Sequence, residues 1–151
     1  MKTKDYLNRG FQLSRRLEVK KAARGSLGKV ISRYEANETQ TDHRNTSEDV
    51  AIRWSELSKE IEEMESALRQ IDKETDEIIS RLSNPNEYAV LYCRFVRRLS
   101  WKDVAKETSY SEQHVYKLYR DGLRSCRPFI DVGMYYGTIK EGEHEREVLR
   151  M

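Results

Sequence analysis

The most regular pattern of apolar positions runs from residue 50 to residue 82. Apolar side chains recur there at alternating spacings of four and three, which is the heptad pattern of a coiled-coil-like helix. The stripe consists of Val50, Trp54, Leu57, Ile61, Met64, Leu68, Ile71, Thr75, Ile78 and Leu82. A helix of about 36 residues, roughly 54 Å long, is expected. A homodimer through residues 50–82 and an intrachain hairpin bury the same stripe, so the pattern leaves both alternatives open.

The N-terminal part of the chain contains a second helical pattern. Residues 3–24 have apolar positions at helical spacing among lysines and arginines. Residues 25–28 include two glycines and are expected to interrupt this helix before a short second one. Residues 35–46 are polar and are predicted to form a flexible loop. Residues 1–83 are therefore predicted to be a helical, coiled-coil-like region.

From Asn84 onward the predicted helices are short, and we place a domain boundary at this residue. Asn84 is suited to cap a helix, Pro85 fits its first position, and Glu87 falls at the capping-box position. This helix is expected to end near Arg98. Its apolar side consists of Tyr88, Leu91, Tyr92 and Phe95.

Two further helices follow. Ser100 is expected to cap the second one, and residues 108–110 form a three-residue break. Ser111 is expected to cap a third helix that ends near Arg124. Two short helices joined by such a turn are typical of the helix-turn-helix. Residues 84–127 are therefore predicted to form a helix-turn-helix domain at the C-terminal side of an all-α fold.

The third helix has an apolar and a polar side. Val115, Leu118, Tyr119 and Gly122 cluster on the apolar side. Glutamine can bind adenine through two hydrogen bonds, and lysine or arginine can reach guanine or phosphate. The predicted DNA-binding residues are Ser111, Gln113, His114, Tyr116, Lys117 and Arg120, with Arg97, Arg98 and Lys102 holding the sugar-phosphate backbone. For Tyr116, stacking on a sugar and packing on a neighbouring side chain remain equally open.

The net charge of +2 is unevenly distributed along the chain. Residues 1–45 carry eleven basic and five acidic side chains, a net charge of +6, and residues 46–83 carry five and eleven, a net of −6. Residues 84–127 carry nine basic and five acidic side chains, a net of +4, and residues 128–151 carry three and five, a net of −2. An acidic spacer between two basic segments favours a nucleic-acid partner.

The stretches YAVLYCRF at residues 88–95, LSWKDVA at 99–105 and YSEQHVYKL at 110–118 resemble region 4 of sigma-70-type factors. The chain resembles more closely the small phage and prophage regulators of the ArpU/RinA late-gene activator type. Those proteins combine an N-terminal helical segment, a long coiled-coil-like helix and a sigma-like helix-turn-helix. The resemblance covers the layout of residues 1–125 and implies an activator of phage late genes. It also implies that Ser111, Gln113, His114, Lys117 and Arg120 face DNA.

Three positions depart from that family pattern. Ser109 occupies a turn position usually filled by glycine, where a left-handed conformation costs a non-glycine residue about 1–2 kcal/mol. Thr108 replaces a usual leucine and thins the core. Gly122 replaces a usual alanine at a cost of about 1 kcal/mol, and it marks either close helix packing or an early end of the helix.

Residues 128–151 follow the motif as a tail for which the sequence predicts no definite structure. It holds an apolar patch broken by Gly133 and Gly137, followed by a short charged helix at 141–150. The patch either folds back on the helix-turn-helix or contacts a partner such as host RNA polymerase.

Other classes of function find no support in the sequence. No apolar run approaches the roughly 20 residues of a membrane span, and residues 1–10 have no signal-peptide core, so a cytoplasmic protein is expected. Cys93 and Cys126 are isolated and are expected to be free thiols. No catalytic constellation, metal site or cofactor motif is present, so no enzyme is predicted. Two alternatives remain, a phage small terminase subunit that recognises packaging-site DNA and a protein–protein adaptor.

Overall fold

The structure, a computed structural model, describes residues 2–36 and 44–142, with side chains described for 2–33 and 48–131. Within these ranges the regular elements are helical and no strand is present, which confirms the predicted all-α class. The helices are α1 (Thr3–Leu7), α2 (Arg9–Ala36), α3 (Arg44–Ile79), α4 (Pro85–Leu91), α5 (Trp101–Thr108) and α6 (Glu112–Gly142), with a π-helical turn (Tyr92–Val96) after α4. The chain divides into a hairpin unit (Phe11–Gln70) and a split unit (Met1–Gly10 with Ile71–Met151).

In the hairpin unit α2 and α3 lie antiparallel. Lys20 Nζ pairs with Glu60 Oε2 at 3.0 Å. Further along α2, the Arg24 guanidinium lies 5.8 Å from the ring centre of Trp54. A Cβ on Gly28 would lie 3.9 Å from the Trp54 Nε1 atom. Residues further along α2 thus contact residues that come earlier in α3, so the two helices run in opposite directions.

The heptad stripe of the hairpin unit is covered by this pairing. Leu57 and Ile61 are each 2% exposed, and Leu17 on α2 is 5% exposed. The predicted long helix and its intrachain hairpin are confirmed, since α3 has 36 residues. The homodimer through residues 50–82 stays a prediction.

Helix α2 continues through the segment that was expected to interrupt it. The prediction of a break at residues 25–28 is wrong, because the helix is continuous from Arg9 to Ala36. The Ser26 and Ser32 hydroxyls donate to the carbonyls of Ala22 and Gly28, at 3.2 and 3.0 Å, which satisfies both within the helix. The glycine cost of about 1 kcal/mol each is outweighed by packing on α3. Of the loop predicted at residues 35–46, residues 35–36 and 44–46 are helical, and residues 37–43 lie outside the described residues.

The split unit joins α1 and the last turns of α3 to α4, the π-helical turn, α5 and α6. Helix α6 packs on α1, α4 and α5. The buried side chains of this core are Tyr6, Leu7, Ile78, Ile79, Val90, Leu91, Cys93, Phe95, Val104, Val115, Leu118, Cys126 and Ile130. The division at residues 70 and 71 differs from the boundary predicted at Asn84, because Thr75 and Ile78 on α3 are buried in the split unit.

Helix α6 extends well beyond its predicted end. It runs to Gly142 and contains Pro128, so the prediction that it ends near Arg124 is wrong. Proline inside a helix removes one hydrogen bond and costs about 3 kcal/mol. The apolar face nevertheless continues, since Cys126 and Ile130 are both 0% exposed and α1 packs on this helix. Residues 143–151, which hold most of the predicted charged helix, lie outside the described residues.

A membrane-crossing helix was not found in the part of the chain that the structure describes, since none is both long and apolar enough.

Candidate nucleic-acid interface

Helix α4 begins as the sequence predicts and is fixed against α6. The Asn84 side chain accepts a hydrogen bond from the Asn86 backbone N–H at 2.9 Å, with Pro85 in the first turn. Glu87 does not act as a capping-box residue. It is 7% exposed, and its Oε1 accepts a hydrogen bond from Ser125 Oγ of α6 at 3.2 Å. The carboxylate therefore holds two helices together.

The π-helical turn after α4 brings the chain towards α5. The Arg97 N–H donates to the Tyr92 carbonyl at 3.1 Å, five residues back. Arg98 then takes a left-handed conformation with φ of 56°. The Arg94 guanidinium lies 4.4 Å from the ring centre of Trp101 and donates to the Leu99 carbonyl at 2.7 Å. Burial lowers the pKa of Arg94 from its ordinary value.

Arg98 is already bound by the protein itself. Its two terminal nitrogens donate to the two carboxylate oxygens of Asp72 at 2.6 and 3.2 Å. Both side chains are mostly buried. A bidentate pair of this kind satisfies the guanidinium and fixes its direction. We therefore remove Arg98 from the predicted DNA-binding residues and assign it to holding α3 against the start of α5.

The connection between α5 and α6 is short and is fixed by side-chain caps on both helices. Ser100 caps α5 by accepting the Asp103 N–H at 3.2 Å. Ser109 ends α5 in a left-handed conformation with φ of 60°, which confirms the expected strained position. Ser111 caps α6 by accepting the His114 N–H at 3.2 Å. Thr108 satisfies its hydroxyl by donating to the Val104 carbonyl at 2.7 Å.

One prediction follows from the Ser109 backbone. Ser109→Gly should stabilise the split unit by about 0.5–1 kcal/mol. Relief of a left-handed conformation is worth about 1–2 kcal/mol, and the extra freedom of glycine in the unfolded chain offsets about half of that gain. Urea denaturation followed by circular dichroism measures the change. Ser109→Ala keeps the backbone strain and should give no gain, so equal stabilisation by both variants would refute this explanation.

The apolar side of α6 is packed tightly on α4. Val115 and Leu118 are 1% and 6% exposed. A Cβ on Gly122 would approach the Leu91 Cδ1 atom at 3.0 Å. Of the two interpretations of Gly122, close helix packing is confirmed and an early helix end is wrong.

The polar side of α6 is open. Gln113, Lys117 and Arg120 are exposed, as are Ser111 and His114. The His114 ring lies edge-on to Tyr110, 4.7 Å between ring centres, which fixes the imidazole at the helix start. Gln113, Lys117 and Arg120, whose accessibility decides whether α6 can enter a duplex, are therefore not covered by the described part of the chain.

One of the two roles predicted for Tyr116, packing on a neighbouring side chain, is confirmed, and stacking on a sugar stays a prediction. Its ring centre lies 5.2 Å from that of Trp101, so the tyrosine packs on a neighbour. It nevertheless remains 45% exposed, on the same side as Gln113 and Arg120. Trp101 also contacts Tyr119 edge-on at 4.7 Å. The outer surface of this aromatic cluster is available to a ligand that lies along α6.

Two further residues predicted to hold the sugar-phosphate backbone of DNA, Lys102 and Arg97, are both exposed. Lys102 lies in the first turn of α5. Arg97 pairs with Glu107 at 3.4 Å across the surface, and this hydrogen-bonded partner raises the pKa of the guanidinium. A pair of exposed side chains is worth little, so it leaves Arg97 able to exchange its partner for a phosphate.

Two basic residues were missed by the sequence analysis. Arg124 and Arg127 are exposed and continue the spacing of Gln113, Lys117 and Arg120. They were missed because the helix was expected to end at Arg124, although the alternation of four and three was present in the sequence. Among the described residues, none forms a salt bridge with Lys117, Arg120, Arg124 or Arg127.

The cysteines do not contribute to this surface. Both are free and buried, which confirms the prediction of free thiols. Burial, with Glu87 nearby, raises the pKa of the Cys126 thiol to about 12, so it stays protonated and unreactive at neutral pH. Within the described ranges no group of three or more His, Cys, Asp or Glu side chains is placed to hold a metal ion.

No family model, curated protein or solved structure matches this chain. The polar side of α6 is therefore interpreted from its own geometry.

Proposed function

We propose that this protein binds double-stranded DNA, with α5 and α6 as a helix-turn-helix and α6 as the helix that enters the major groove. One observation carries the proposal: Gln113, Lys117 and Arg120 are exposed, while the opposite side of the same helix is clamped in the core. A helix with its side chains is about 10–12 Å across, and the major groove is about 12 Å wide.

The proposed contacts follow from side-chain chemistry. Helix-turn-helix proteins contact base edges with the N-terminal residues of the recognition helix. Gln113, in the first turn of α6, is suited to adenine, and Lys117 and Arg120 are suited to guanine. Ser111 and the free N–H groups of the helix start bind a phosphate. Lys102 and Arg97 bind the flanking backbone and supply the salt-dependent part of the affinity.

The regulatory role rests on the resemblance to late-gene activators of the ArpU/RinA type. Such a role requires binding to a defined sequence near a promoter, with host RNA polymerase as the second partner. The core that supports α6 favours this role over an adaptor, since the Thr108 hydroxyl is hydrogen-bonded within α5 and Gly122 packs closely on Leu91.

Selection of bound duplexes from a random pool, at a stated salt concentration of about 0.1 M, tests the proposal. Enrichment of one sequence is expected, and the selected duplex should bind about 1,000-fold or more tightly than an unrelated duplex, the lower end for specific proteins. Gln113→Ala should change the enriched base at one position. A protein that binds no duplex even at low salt, where phosphate contacts are strongest, would rule out the proposed function.

A further inference from the structure

The basic side of α6 is longer than the part that a helix-turn-helix needs for base contacts. Lys117, Arg120, Arg124 and Arg127 are exposed on one side of a continuous helix. Ten residues separate the first from the last, a distance of about 15 Å along the helix axis. We call these four side chains, with Gln113, the α6 stripe.

The stripe is longer than the part of a recognition helix that contacts bases. From its first residue to Arg127, α6 extends for about 22 Å. Because the major groove winds around the duplex, a straight helix whose N-terminal residues contact base edges moves away from the bases towards Arg124. The phosphates border the groove at this point, so arginines there meet the backbone and not the bases.

Arg127 is the last residue of the stripe, although the helix itself continues to Gly142. Asp131 is exposed one turn further on, and the surface depression that Arg127 and Asp131 line is also lined by Lys2 and Asp5. The charges beyond Arg127 are therefore mixed, whereas the charged side chains of the stripe are all positive.

We propose that Arg124 and Arg127 bind the phosphates at the edge of the major groove, and that they divide α6 into a base-reading start and a phosphate-binding continuation. The inference rests on the proposed function, since it presupposes that α6 enters a duplex. It assigns to two residues outside the motif a share of affinity that carries no sequence information.

The salt dependence of binding tests this division. The Arg124→Gln/Arg127→Gln variant should lower the slope of log affinity against log salt by about 1.8, since each lost phosphate contact contributes about 0.9. Between 50 and 200 mM salt, the variant should therefore lose about twelvefold less affinity than the unaltered protein. Its binding should weaken equally on the selected duplex and on an unrelated one, with unchanged base preference. Fluorescence anisotropy of labelled duplexes measures the salt slope, the affinity for each duplex and the base preference.

Two further variants make the result decisive. Gln113→Ala should alter base preference and leave the slope unchanged. Lys59→Ala/Arg69→Ala removes two exposed charges from α3 and should change neither the base preference nor the salt slope. An unchanged slope in the Arg124→Gln/Arg127→Gln variant, or an altered base preference, overturns this inference alone. Failure of the unaltered protein to bind any duplex overturns the proposed function as well.

Discussion

Replacing Lys117 and Arg120 by alanine should weaken binding to the selected duplex by at least 100-fold. A well-placed contact to a base edge is worth about 1–3 kcal/mol, and tenfold in affinity corresponds to about 1.4 kcal/mol, so two such contacts account for this loss. The free energy of unfolding should change by less than about 0.5 kcal/mol, because both side chains are exposed. Anisotropy titrations give the affinity, and circular dichroism verifies that helicity is retained.

The matched control is Lys59→Ala/Arg69→Ala, which removes the same number of positive charges from α3. Its affinity should stay within about twofold of the unaltered protein if contact, and not net charge, determines binding. Unchanged binding by the Lys117→Ala/Arg120→Ala variant would show that DNA contacts another surface.

The second large effect concerns stability. Ile130→Ala should lower the free energy of unfolding by about 2–5 kcal/mol, the usual cost of removing an aliphatic side chain from a packed core. Ile130 is 0% exposed and lies beyond both Pro128 and the predicted end of the helix. Urea denaturation followed by circular dichroism measures the loss.

Ile52→Ala is the control for this experiment, because it removes the same atoms from a side chain that is 57% exposed. It should change stability by no more than about 0.5 kcal/mol. If Ile130→Ala is as mild as the control, α6 beyond Arg124 contributes nothing to the core.

The elements that the sequence predicted well are those fixed by local chemistry. Asn84, Ser100 and Ser111 each bind a backbone N–H in the next turn, as capping residues do. The length of α3 was predictable because its heptad pattern is sustained, and the left-handed Ser109 was predictable because the turn requires it. These features depend on residues a few positions apart.

The features that were missed depend on residues far apart in the chain. Arg98 looked like a surface cation because its partner, Asp72, lies 26 residues earlier. Pro128 and the glycines after it suggest a broken segment, but α1 covers the apolar face that continues through Ile130. The choice between a hairpin and a homodimer was undetermined for the same reason, since the stripe does not specify which helix covers it.

The split unit also has a consequence for protein engineering. Leu7 of α1 is 1% exposed, so a fragment cut at residues 84 and 127 would lose both ends of its own core. Residues 84–127, which we propose to bind DNA, are therefore not expected to fold on their own. A Cβ on Gly10 would lie 3.6 Å from the Asp72 Oδ1 atom, so the two pieces of this unit meet where the hairpin departs and returns. A short linker in place of residues 11–70 would rejoin them, and this shortened chain is the natural template for grafting the module onto another protein.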